Sequence, residues 1–350
     1  MSAKLEKEAS YQASQRYAVW RQMFVRVPPI PAGVDLAGKT VLVTGSNIGL
    51  GLECARQFLK LGASLLIMAV RSLERGHTAA SGLRSEFPSA KIEVWPLDLT
   101  SFRSVEAFAA RCESELDHLH VAVLNAGMGK EKFERVEEGK RREMTIQVNY
   151  LATALLALLL LPKMKTSAST LESPPATTSP SRLTIISSDA SLNVKLEDPG
   201  NSGILDSIDR PESFVAYPQY SITKLLITMF TAKLAETVDP QEVIINCANP
   251  AATKGTGFLR DVESVMVKLM FRLLFQIIGR ELVDAARIYV HSSLVLDKES
   301  HGAFTDWLIR PWPLMMYTDL GRKLSDKLWE ETLEELRFAT ASEALKNIKQ

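Results

Sequence analysis

The feature that most constrains this chain is a repeated change of hydrophobic period. Short aliphatic or β-branched runs (KTVLVTG, ASLLIMAV, KIEVWPLD, HVAVLN, RLTIISS, EVIINCAN) alternate with longer amphipathic stretches (LECARQFLKLG, LERGHTAASGLRSEF, FRSVEAFAARCESEL, REMTIQVNYLATALLALLL, YSITKLLITMFTAKLAE). The first kind suits strands buried on both faces, and the second suits helices with one apolar side. Strand and helix in repeated alternation imply a parallel sheet covered on both faces, and right-handed crossovers make it doubly wound. The expected fold class is α/β: a single doubly wound domain over residues 39–310 with about seven parallel strands flanked by helices. HGAFTDW, near Gly302, supplies the last edge strand.

Helical extensions flank this domain. Over residues 1–38, Tyr17, Trp20, Met23 and Phe24 recur at helical spacing before the proline-rich VPPIPAG. Over residues 311–350, LSDKLWEETLEELRF places Leu328, Trp329, Leu333 and Leu336 on one inner face. Two segments break the rhythm of the central domain. The Ser/Thr/Pro-rich stretch from Thr166 to Ser181 is too polar to pack and reads as a solvent loop. The irregular stretch 189–217 leaves the carboxyl edge of a strand, where ligands bind in such sheets, and reads as a substrate loop. VESVMVKLMFRLLFQIIGR, within 259–280, reads either as a packing helix or as a lid over an apolar substrate that touches a membrane surface.

Composition closes several routes. Lys+Arg and Asp+Glu number 41 each, so no net field draws nucleic acid. Cys54, Cys112 and Cys247 show no CxxC spacing, as expected of buried thiols in a reducing compartment. The five histidines form no HExxH or His/Cys cluster, so no metal site is expected. The polar N-terminus lacks the apolar core of a signal peptide, and LATALLALLLLP is about half of the ~20 residues that cross a bilayer. A cytoplasmic protein without a transmembrane segment is expected.

In VLVTGSNIGLGLECARQFL a strand, a glycine turn and a helix follow in order. Gly45, Gly49 and Gly51, with Ser46, Asn47 and Ile48 between them, let the backbone turn sharply and approach a pyrophosphate at the helix N-terminus. This is the phosphate-binding turn of a Rossmann-type dinucleotide fold. Arg71 ends the second strand about twenty residues further on, where an acid would hold a ribose hydroxyl and an arginine accommodates a 2′-phosphate. That choice favours NADP(H) over NADH, and Arg75 could share the role. In YPQYSITK, Tyr220 has Lys224 four residues on, so a helix sets an ammonium on the face of that phenol and favours the phenolate. Tyr217, one turn earlier, reads as a pocket wall.

With TGSNIGLG, LNAG and YSITK in this order, the chain resembles the short-chain dehydrogenase/reductase family, in particular its retinol-dehydrogenase and protochlorophyllide-reductase-like branch. Its approach PPIPAGVDLAGKT and its C-terminal tail are similar to fungal members, many of which serve secondary-metabolite pathways. The resemblance implies roles for individual residues. Asp98, with Leu99, would contact the adenine, and Asn125, Ala126 and Gly127 would line the cofactor. Asn149 would hold the water of a proton relay. Ser188, with Ser187 as the fallback, would bind the substrate oxygen; Tyr220 would be the acid/base, and Lys224 would bind the nicotinamide ribose while lowering the phenol pKa. In NPAATKGTG, Pro250 is present, Ala251 replaces the usual glycine, and Thr253 or Thr256 would meet the carboxamide. The implied activity is NADP(H)-dependent reduction of a carbonyl, or oxidation of the matching alcohol, on a hydrophobic small molecule, within a homo-oligomer. Two other readings stand beside it: a retinol- or sterol-type dehydrogenase held peripherally on an intracellular membrane, and a non-catalytic nucleotide-binding interaction protein.

Overall fold

The structure, a computed structural model, describes residues 3–165, 179–255 and 265–338. Eight strands form one sheet: β1 (Thr40–Thr44), β2 (Leu65–Val70), β3 (Lys91–Pro96), β4 (Val121–Leu124), β5 (Ser181–Ile186), β6 (Val243–Ala248), β7 (Phe304–Thr305) and β8 (Ile309–Arg310), in the order β3-β2-β1-β4-β5-β6-β7-β8. Strands β1 to β7 pair in parallel, and β8 returns antiparallel along β7. The eighth strand, one beyond the expected number, is a two-residue return too short to show any period of its own.

Alternation along the strands divides the core. Val41, Val43, Leu66, Met68, Val121 and Val123 face helices Gly49–Lys60, Leu73–Glu86 and Leu282–Val290. Leu42, Ile67, Ala69, Ala122 and Leu124 face helices Phe102–Glu115, Met144–Met164 and Ala216–Ala235. Both faces are apolar because both are covered, which is why the strands read as unbroken hydrophobic runs. Chain order reverses between β1 and β4, and the crevice opens at the carboxyl ends of those strands. Helix Met144–Met164 is apolar and long enough to cross a membrane by composition, yet it lies buried in this core.

The N-terminal extension forms two helices, Ala3–Gln12 and Gln15–Phe24, the second capped by Ser14, whose hydroxyl accepts the Tyr17 amide hydrogen. Its aromatic spacing does not mark an inner face. Trp20, Met23 and Phe24 are 49%, 50% and 69% exposed, while Arg21 turns inward onto Asp306 at 2.6 Å. Asp306 also accepts from Arg310 at 2.8 Å, and Arg280 donates to the carbonyls of Val25 and Arg21. The guanidinium groups of Arg21 and Arg280 both lie over the Trp307 ring. Polar side chains therefore fix the extension to the last strands of the sheet, and a reading by hydrophobic period misses them.

The C-terminal helix Asp319–Glu335 meets its expectation: Leu328 and Leu336 are buried, and Trp329 and Leu333 pack partly buried beside them. Truncating such a buried leucine typically costs about 2–5 kcal/mol. The same helix anchors the long stretch before Tyr220. Glu331 accepts the amide hydrogens of Ile204 and Leu205, and Arg142 bridges Glu335 to Asp206 and Asp209. That stretch is consequently more regular than expected, with 3-10 turns Asp189–Ser191 and Pro211–Ser213 and a short helix Ile204–Ile208. Most of the Ser/Thr/Pro stretch, 166–178, lies outside the described residues, as do 259–264 of the expected lid.

Candidate active site at the carboxyl edge of the sheet

A chamber of about 730 Å3 occupies the crevice, within the range of small-molecule and cofactor sites. One end is the glycine turn. Gly45 and Gly49 have φ of +66° and +59°, the left-handed region where a side chain is strained. Gly51 is required for a different reason: a Cβ there would stand 2.5 Å from the Gly45 carbonyl oxygen and 2.6 Å from Asn125 Nδ2. Helix Gly49–Lys60 begins after Ile48, whose side chain caps nothing, so its first-turn amides remain available to an anion. Asn47, Ile48, Gly49 and Gly51 line the chamber, whereas Ser46 is sealed beneath the turn at 0% exposure. The expectation that Ser46 lines the cofactor site is thus corrected for its side chain, because the sharp turn tips that side chain into the core.

Arg71 directly follows β2 and Arg75 lies in the first turn of helix Leu73–Glu86; both line the chamber, as do Asp98, Leu99 and Thr100. Asp98 is held in place by the amide and hydroxyl of Thr100, both donating to Oδ1. Between the two ends run Asn125, Ala126 and Gly127. Asn125 Nδ2 donates to the Thr44 carbonyl at 2.8 Å, and its Oδ1 accepts from Tyr289, a chamber residue on helix Leu282–Val290 that no motif announces.

At the other end lie Ser188, Tyr220 and Lys224. The two serines separate clearly. Ser187 is buried, donating to the Lys224 carbonyl and paired with Thr228, whereas Ser188 faces the chamber and shares a hydrogen bond with the Tyr220 phenol. Helix Ala216–Ala235 carries Tyr220 and Lys224 one turn apart, as the spacing requires. Asn149 sits in a π-turn, Gln147–Leu151, that interrupts the buried helix, a distortion often found at functional sites. Its amide is turned away from the open chamber: Oδ1 accepts from Met128 N, and Nδ2 donates to Met128 O and to Thr223. A Cβ on Gly127 would lie 3.1 Å from Asn149 Oδ1 and 3.4 Å from Lys224 Nζ, so only a residue without a side chain leaves that spot open.

Electrostatics at the phenol reverse one expectation. Lys224 Nζ donates to the Ile186 carbonyl at 2.8 Å and lies 5.7 Å from the centre of the Tyr220 ring. Burial pushes the Tyr220 phenol up to about 12, with the Ser188 hydrogen bond pulling back and Tyr217 adding a small rise. Burial likewise lowers the Lys224 ammonium to about 8. Sharing a helix face places the two groups near each other, and desolvation is the largest influence on each.

Beyond β6, Pro250, Ala251, Ala252 and Thr253 border the chamber. Ala251 adopts φ +61°, keeping the left-handed turn that a glycine would make freely. Thr253 is buried and donates to the Ala251 carbonyl, while Thr256 lies outside the described residues. The substrate side is walled in part as expected, by the apolar helix and by Tyr217. Of the stretch 189–217 only Asp189, Ala190 and Tyr217 reach the chamber, because its middle is drawn onto the C-terminal helix. Phe275 and Ile278 of helix Val265–Ile278 supply another wall, and Ala18, Val19 and Gln22 of the N-terminal extension a third. Among the described residues, no group of three or more His, Cys, Asp or Glu is placed to hold a metal ion.

Residues 39–171 match the short chain dehydrogenase family model. The chain is 44% identical over 352 residues to the short chain dehydrogenase virL of Hypocrea virens, covering 100% of this chain and 99% of that protein. It is 39% identical over 307 residues to the short chain dehydrogenase opdN of Penicillium oxalicum, covering 87% and 97%. Among solved structures, the L-sorbose reductase of Gluconobacter frateurii, complexed with NADPH and L-sorbose, superposes with a TM-score of 0.57 at 21% identity, covering 79% of this chain and 98% of that one. An NADPH-bound short chain oxidoreductase of Pseudomonas aeruginosa gives a TM-score of 0.56 at 20% identity, covering 78% and 96%. These two likenesses concern the fold. With near-complete coverage by its fungal relatives, and with the glycine turn, Ser188, Tyr220 and Lys224 gathered in one chamber, the chain belongs to the short-chain dehydrogenase/reductase family.

Proposed function

We propose that the protein is an NADP(H)-dependent oxidoreductase that reduces a carbonyl of a mostly apolar small molecule, or oxidises the matching alcohol. The observation that carries this reading is the Ser188–Tyr220 hydrogen bond, set beside Lys224 in the chamber whose far end is an uncapped, glycine-lined helix start. Gly45, Gly49 and Gly51 leave room for a pyrophosphate; Asn125 to Gly127 line the way to the reacting end, and Lys224 lies where a ribose hydroxyl would be held. When bound, the reduced nicotinamide supplies the hydride that adds to the substrate carbon. Ser188 then donates to the oxygen as negative charge develops there. Tyr220 hands that oxygen its proton, and in oxidation takes it back. The raised phenol pKa keeps Tyr220 protonated at neutral pH, the state that reduction consumes. NADPH complexes among the fold relatives support the choice of cofactor. Val19, Tyr217, Phe275 and Ile278 give the substrate side an apolar lining.

Tyr220→Phe is expected to lose about 10²–10⁴-fold in kcat with any accepted ketone or aldehyde, while NADPH binding stays near wild type. Wild-type turnover in this variant would overturn the assignment. Reductive kcat/KM should be highest below pH 8 and decline as the pH rises through about 8, where the Lys224 ammonium is lost; steady-state rates across a pH series read this directly. Arg71 is exposed where it lines the chamber, which supports a role in holding a 2′-phosphate. Arg71→Ala should weaken NADPH by about 10- to 150-fold and leave NADH unchanged, as one lost charge-assisted contact of about 1.5–3 kcal/mol requires; equal NADH and NADPH affinity in the wild type would remove that role.

A second reading concerns where the enzyme works. Trp20, Met23 and Phe24 on one wall helix, and Met266, Leu269, Leu273 and Ile277 on the other, are exposed apolar side chains beside the chamber. This supports peripheral contact of a cytoplasmic enzyme with an intracellular membrane. Sedimentation with anionic liposomes should capture the wild type and release a Trp20→Ser/Phe24→Ser variant; a wild type that stays in the supernatant would contradict it.

A further inference from the structure

We propose that Gln22, on the N-terminal extension, is a positioning residue of the active site: it clamps the Ala252 carbonyl, in the peptide that follows Ala251, at the end of the chamber that would take the nicotinamide. The inference rests on the cofactor reading above and adds a device that the family motifs do not contain. Gln22 Nε2 donates to the Ala252 carbonyl across 230 residues of sequence. That carbonyl also accepts the Arg280 amide hydrogen at 2.9 Å, so two elements outside the central strands converge on one peptide group. The Ala251 amide is tied in turn to Asn249 Oδ1 at 3.0 Å, and the same oxygen accepts the amide of Asp189, next to Ser188.

Clamping is needed here because the backbone is strained. Ala251 is one of two non-glycine residues with positive φ among the described residues, and an L residue in that region costs about 1–2 kcal/mol. A glycine would hold the turn without help; alanine holds it only while neighbouring groups fix the chain before and after it, at the Ala251 amide and the Ala252 carbonyl. Gln22 can do so because its own helix is immobilised by buried groups. Arg21 grips Asp306, and Arg280 donates to the Arg21 and Val25 carbonyls. Gln22, Asp189, Ala251 and Arg280 also border a second cavity of about 10 Å3, room for one water. Asp189 Oδ1 and Arg280 Nε, both buried without a partner among the described residues, border it as well. The extension is thus connected to the peptides that follow β5 and β6, the two strands whose ends carry Ser188 and the nicotinamide-facing turn.

The experiment uses the full chain with Gln22→Met, which keeps the side-chain volume and removes the donor. Three quantities are read: the melting temperature, NADPH affinity by fluorescence titration, and amide hydrogen exchange over 251–255 in protein without added nucleotide. Expected are a melting temperature within a few degrees of wild type, exchange at Ala251–Lys254 faster by about 3- to 10-fold, and NADPH affinity weaker by about 3- to 10-fold, the range of one lost hydrogen bond. Adding Ala251→Gly to Gln22→Met should recover most of the affinity, because glycine holds the turn unaided. Unchanged exchange and unchanged affinity in Gln22→Met would overturn the proposal, as would a loss that Ala251→Gly does not relieve. A wild type that fails to bind NADPH would refute the cofactor reading instead, and the exchange measurement, which needs no nucleotide, would still decide whether the clamp exists.

Discussion

The structure depends on one close approach. Gly51, in the first turn of its helix, packs so tightly on the Gly45 carbonyl and on Asn125 that no side chain could stand between them. That contact joins the end of β1 to the end of β4, the two strands between which the chain reverses direction across the sheet. Because β1 and β4 diverge into opposite crossovers, the crevice must open there. Because the helix start is pulled down against the strand ends, its free amides point into that crevice. The glycine turn and the mouth of the crevice share that single steric requirement.

At the other end the governing quantity is desolvation. Lys224 and Asn149 are buried and Tyr220 is half-buried at the chamber wall, and the cost of desolvating a charge moves the phenol up and the ammonium down. The result is an acid that holds its proton at neutral pH beside a hydroxyl, Ser188, that can bind a developing oxyanion. The π-turn bearing Asn149 is a local departure from helical geometry in an otherwise apolar, buried helix, and it places the one polar side chain that fixes Met128.

Much of this was legible in the sequence because hydrophobic period and glycine spacing are local signals. The six main strands, the two-sided core, the glycine turn and the inner face of the C-terminal helix all announce themselves by period or spacing. What stayed hidden was decided by polar contacts between distant segments. The aromatic residues of the N-terminal helix mark its helical period, but Arg21 and Gln22 choose the face that docks. The stretch before Tyr220 reads as a pocket wall, but Glu331 and Arg142 draw its middle away. A lysine one turn from a tyrosine reads as an activator, but a backbone carbonyl captures its ammonium. Tyr289 reaches the chamber from a helix with no recognisable motif.

The central claim is that the glycine-lined helix start and Tyr220 serve one bound nucleotide. Ile48 offers the most direct test, since it occupies the N-cap position of that helix without capping it and is exposed. An aspartate there is a good helix cap, typically stabilising by about 1 kcal/mol, yet it sets a negative charge where the pyrophosphate would lie. NADPH titration of the wild type and of Ile48→Asp, with melting curves alongside, separates folding from binding. The account predicts one NADPH per wild-type chain, and in Ile48→Asp an affinity weaker by tenfold or more with equal or higher thermal stability. Equal affinity in the two proteins would contradict it.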